Sequence, residues 1–248
     1  MSSTIETGHA KNVANFSNLC SICTGYATAY NPSKSTLSLG ALNTMYSESQ
    51  KTLTLVHSAF SVHKNAMADR EVAFKSFSKF VTRIMNALKA SDSTPEIDEK
   101  AASFASKLQG KRVSTKLTEE EKQALAKEGI EHKEISSSQL SFDNRIDNFG
   151  KLITFLETVP AYNPNEADLK VTALKDHLQD LKNKNAAVIE AHTALSNARI
   201  SRNAVLYKVN TGLVDVALDV KSYVKSVFGA GAPQYRQVSG LEFRKIKE

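Results

Sequence analysis

The chain has 248 residues, a formal charge of +6 and a pI near 9.1. Ten Gly, five Pro and no Trp over that length argue against a turn-rich β fold and for long helices. The apolar runs fall far short of the roughly 18 residues a membrane helix needs, and the basic residues are spread along the chain instead of forming the patch a nucleic-acid binder uses.

The N-terminus, Met1-Ser2-Ser3-Thr4-Ile5-Glu6, lacks the basic and apolar regions of a signal peptide, so a cytoplasmic location is expected. A first helix is expected from Ala10 to Tyr30. Val13, Phe16, Cys20, Cys23, Ala27 and Tyr30 form its apolar face at spacings of three and four. Cys20 and Cys23 read as C-x-x-C, but a zinc site needs two further ligands and a redox motif needs a strand–helix context. They are expected as small core residues. Asn31-Pro32 then offers a helix N-cap followed by a proline at the first helical position. A long helix is predicted from Pro32 to Lys89, with a softer start around Gly40, on a seam that includes Leu42, Ser49, Val56, His63, Arg70, Phe77, Ile84 and Leu88.

Residues 91–145 differ in kind and carry an acidic excess. Thr94-Pro95 predicts a short helix that Gly110 ends. Lys111 to Lys116 reads as extended. Thr118-Glu119-Glu120-Glu121 predicts a second short helix to about Lys127, and the serine run Ser136–Ser138 reads as connector. Beyond it, a short helix is expected from Asp143 to Thr158. A second long helix should follow, capped by Asn163-Pro164 and reaching Val227, with Gly212 as the candidate kink. Gly229, Gly231 and Pro233 end it. The tail, Gln234 to Glu248, should be a short strand or an extended arm packed on the helices.

Two stretches match. Ala29-Tyr30-Asn31-Pro32 is identical to Ala161-Tyr162-Asn163-Pro164, and Asn65-Ala66 and Arg70 align with Asn197-Ala198 and Arg202. A match at a fixed offset predicts duplication. The predicted fold is therefore all-α: an elongated bundle of long antiparallel helices built from two tandem copies of a short-helix/long-helix unit, with a small helical insertion. Residues 1–90 form the first copy, 91–145 the insertion, 146–232 the second copy and 233–248 the packed tail.

Polar residues on the apolar seams are the candidate site: Asn65, Arg70, Asn197, Arg202, His63 and His192. A buried arginine is costly unless paired, so the positions predict either a register-setting polar layer or an anion site. No Glu-x-x-His, H-E-x-x-H, G-x-S-x-G or phosphate loop occurs. No metal, cofactor or catalytic residue is therefore expected. Long helices, duplication, few loops and the absence of a site motif favour a non-enzymatic structural or assembly protein that binds itself or another protein, with no nucleic-acid partner expected. A membrane-active, pore-forming bundle and a ligand- or anion-binding bundle are the alternatives.

Overall fold

A computed structural model describes residues 4–110 and 140–246. The fold is all-α, with no strand among the described residues. Helix α1 (Thr4–Gly25) leads through two 3-10 turns, Ala27–Ala29 and Ser35–Leu37, to α2 (Leu39–Lys75). Helices α3 (Phe77–Lys89), α4 (Pro95–Gln109) and α5 (Phe142–Glu157) follow. A further 3-10 turn, Ala167–Leu169, precedes α6 (Val171–Tyr207), α7 (Leu213–Phe228) and α8 (Pro233–Ser239).

The chain divides into two compact units. One comprises Met1–Lys64 with Glu190–Glu248, the other Asn65–Ile189. The division falls inside α2 and inside α6, so the compact bodies differ from the sequence segments 1–90, 91–145 and 146–232. A helix that carries apolar residues at both ends can serve two cores, and sequence continuity then does not mark a domain.

In the first unit, Phe16, Leu19 and Cys23 of α1 pack with Leu42 of α2, Leu206 of α6 and Leu213, Ala217, Val220 and Val224 of α7; Val238 of α8 joins them. In the second, Phe77, Val81, Ile84 and Leu88 of α3 pack with Ala101, Ala105 and Leu108 of α4, with Phe149, Leu152 and Leu156 of α5, and with Leu174 and Leu181 of α6. Helix α4, within the expected insertion 91–145, thus contributes to this core. The other half of the expected insertion, including the helix near 118–127, lies outside the described residues.

Several expected boundaries move, each for a physical reason. Helix α1 stops at Gly25 instead of Tyr30: Ala27 takes a positive φ of 48°, which a helix does not allow. Neither long helix starts at its Asn-Pro pair. The Tyr30 hydroxyl donates to the Leu37 carbonyl at 2.8 Å, and Tyr162 donates to Leu169 at 2.8 Å. Each phenol closes a loop over the Asn-Pro pair, and α2 and α6 begin only after it. Ser38 supplies the cap of α2, its Oγ accepting from the Ala41 N–H at 3.3 Å. The break in the first long helix falls at Ser76 (φ −98°, ψ 1°). It has no local breaker, and Phe77, Val81, Ile84 and Leu88 beyond it share one face and one core. In the second, Asn210 with φ 65° and Gly212 as N-cap of α7 make the interruption. Pro233 at the first helical turn forms α8, where a strand or arm was expected, and 241–246 carry no regular secondary structure. Asn12 ties this last stretch to α1 at both backbone groups of Arg244: its Nδ2 donates to the carbonyl at 2.8 Å and its Oδ1 accepts from the N–H at 3.1 Å.

Candidate functional site

The sequence reading places six polar residues on a buried seam. The structure distributes them. In the first unit, the rings of His63 and His192 lie 5.5 Å apart and tilted at 59°. His192 and Asn197 are exposed, and His63 is half-buried. Arg202 is fully buried, with its Nε and Nη2 donating to Asn203 Oδ1 at 3.1 and 2.9 Å. In the second unit, Asn65 is exposed and Arg70 half-buried. Every α2 residue from His57 to Ala73 is exposed or half-buried, so the middle of that seam is not core.

Arg70 is held by three groups of its own unit. Its Nη1 donates to Asn185 Oδ1 at 2.9 Å, and Asn185 Nδ2 donates to Asp143 Oδ1 at 2.8 Å. Its guanidinium sits 3.9 Å from the centre of the Phe142 ring. The planar cation thereby gains a π face and reaches a carboxylate through one amide, which offsets its partial desolvation. Arg145, one turn into α5, lies over Phe74 and Phe77 at 4.9 and 5.0 Å. Burial lowers its pKa from the ordinary arginine value. His177 stands among Phe77, Phe80 and Phe149 at 6.1, 4.9 and 5.9 Å. Burial lowers its pKa too, against a smaller opposing pull from Asp180. These contacts make an aromatic–cation cluster inside one core.

Beside it, α5 and α6 leave a groove of about 950 Å³ with Ile146, Gly150, Ile153, Leu178 and Ile189 along it and Phe104 of α4 at one side. Lys151 and Lys175 on its rim are ion-paired to Asp147 and Glu157 at 2.6 Å.

In the first unit, His9 is fully buried and its Nδ1 lies 2.6 Å from the Tyr207 hydroxyl, which also accepts from Asn12 Nδ2 at 3.2 Å. His9, Asn12, Arg145 and Asn185 are not among the six seam candidates. Asn12 and Asn185 are buried and bonded to polar groups from distant sequence, and an asparagine adjacent to Val13 or one turn before Val188 is the signal that could have found them.

Cys20 and Cys23 are buried free thiols. Burial pushes Cys20 up to about 11 and Cys23 up to about 12, the latter also through the neighbouring Cys20. Both remain protonated at neutral pH, and a thiol without its thiolate neither attacks nor ligates well. Among the described residues, no group of three or more His, Cys, Asp or Glu is placed to hold a metal ion, and no helix is long and apolar enough to cross a membrane. Compared with protein-family models, curated proteins and solved structures, the chain gives no match.

Proposed function

We propose that this chain is a non-catalytic structural or assembly protein that associates with itself through an exposed face of a long helix. The observation that carries the reading is on α2. Leu55 and Val62 stand seven residues apart, hence on one helix face, and are 59% and 56% exposed. Ile200 on α6 of the same unit is 65% exposed. Single exposed apolar residues need no explanation, but a matched pair on a rigid helix favours a partner surface.

The same reading takes the chain as two tandem copies. Supporting it, α2 and α6 each have 37 residues, and each follows a 3-10 turn and a tyrosine–leucine loop closure of equal length. Phe77, Val81, Ile84 and Leu88 of α3 correspond in order to Leu213, Ala217, Val220 and Val224 of α7. Each unit then combines the N-terminal half of one copy with the C-terminal half of the other, the arrangement an ancestral half-exchanging homodimer leaves after fusion.

Light scattering over a hundredfold range of protein concentration tests the association. The expected result is a mass that rises with concentration, and a Leu55→Glu/Val62→Glu variant that stays monomeric with unchanged helix content. A wild type that is monomeric throughout overturns the reading. The copies are tested on other data. An experimental structure in which α1 with α7 fails to superpose on α5 with α3 would remove them.

A further inference from the structure

We infer that two ion pairs of opposite polarity direct each N-terminal half to the C-terminal half of the other copy. This rests on the tandem-copy reading.

On the helix side the pairs occupy the same position, whereas on the loop side Lys34 corresponds to Glu166 and the bonded Asp168, two residues on, corresponds to Thr36. Asp219 is the seventh residue of α7, and Arg83 the seventh of α3. Lys34 immediately precedes the 3-10 turn Ser35–Leu37, and Glu166 immediately precedes Ala167–Leu169. In the first unit, Lys34 Nζ lies 2.5 Å from Asp219 Oδ2: the loop carries the cation and the helix the acid. In the second, the polarity is reversed. Arg83 holds Asp168 with two bonds, Nη1 to Oδ2 at 2.6 Å and Nη2 to Oδ1 at 3.2 Å, and Glu166 adds to the attraction.

The reversal matters for the wrong pairings. If each copy closed on itself, or on the same copy of a second chain, Lys34 would meet Arg83, and Glu166 with Asp168 would meet Asp219. Both contacts would then be like-charged. Two copies with similar apolar faces offer their cores little means of telling partners apart, because hydrophobic burial is non-directional. Charge does the discriminating, by favouring one pairing and penalising the other. The side chains are about half exposed, between 45% and 54%. Such pairs contribute little stability. Their effect lies in the difference between pairings, where lost attraction and new repulsion act in both units at once.

The test uses the full chain. An Arg83→Asp/Asp219→Arg exchange puts like charges in both native contacts and complementary charges in both wrong ones. An Arg83→Gln/Asp219→Asn variant only neutralises. A compensated variant adds Lys34→Asp, Glu166→Lys and Asp168→Lys to the exchange. Each is unfolded in urea, refolded at low ionic strength and separated by size with light scattering. The neutral variant is expected to recover the wild-type size distribution. The exchange should lower the ratio of wild-type-sized to larger species about three- to tenfold, an effect lost in 1 M salt. The compensated variant should restore the ratio. An exchange variant that partitions like the neutral one overturns the inference, as does a compensated variant that fails to recover. Neither outcome touches the superposition of α1 and α7 on α5 and α3, so the two ideas fail separately.

Discussion

Removing one hydroxyl from Tyr162 tests the loop closure that starts α6. The phenol is 6% exposed and donates to the Leu169 carbonyl at 2.8 Å. Tyr162→Phe keeps the ring and its packing but leaves that buried carbonyl without its donor. A net hydrogen bond contributes about 1 kcal/mol, and an orphaned buried acceptor costs about 1–3 kcal/mol. The expected loss is therefore about 1–3 kcal/mol, read from the urea midpoint at unchanged m-value. Amide exchange should quicken first at Leu169 to Leu174, where the turn meets the helix. Tyr30→Phe should behave alike, since Tyr30 is 6% exposed and donates to Leu37 over the same distance. The two changes lie in different units, and their effects should add within about 0.5 kcal/mol. A loss below about 0.5 kcal/mol for either variant, or exchange that quickens elsewhere first, would refute the reasoning.

Three further outcomes follow from the cores and the tail. Phe77→Ala removes a fully buried ring that meets Phe149 edge-on at 5.0 Å; calorimetry or urea melts should show a loss of about 3–5 kcal/mol, against about 2–5 kcal/mol for Leu213→Ala at the corresponding place. Folding holds the pKa of His177 below its ordinary value of 6.5, so the unfolded chain takes the proton first as pH falls. The His177 contribution to stability is thus complete above about 6.5 and declines as pH drops towards the lower folded value; His177→Leu should flatten that part of the stability–pH curve, which pH-dependent urea melts would reveal. Asn12→Ala cuts both backbone ties to Arg244, and limited trypsin digestion at Arg244 and Lys245 should run about tenfold faster than in wild type. Asn15→Ala cuts only the bond to the Glu242 carbonyl and should change it less.

Much of the helical layout was legible because it is written in local periodicity. The apolar faces of α1, α3 and α5 follow the three–four spacing, and Gly110 and Gly212 sit where helices end or restart. The misplaced starts of α2 and α6 have one cause. Asn-Pro is a sound cap by its own chemistry, but a tyrosine hydroxyl reaching seven residues ahead closes the loop over it. That bond couples two residues no sliding window treats together. Ser76 is a different case: no proline, glycine or positive φ marks the break, and Phe74 and Phe77 on either side of it are both buried in one core.

The candidate site shows where periodicity stops being informative. A seam position says which face of the helix a residue occupies, not whether anything covers that face. Asn65 and Asn197 hold corresponding sequence positions and are both exposed, whereas Arg70 and Arg202 correspond yet differ in burial. What covers a seam position comes from distant sequence, as Phe142 covers one face of Arg70. Charge carries what periodicity cannot. Lys34 and Glu166 stand at matching places with opposite signs, and so do Asp219 and Arg83. The two ion pairs join residues 185 and 85 positions apart, so no local pattern contains either contact.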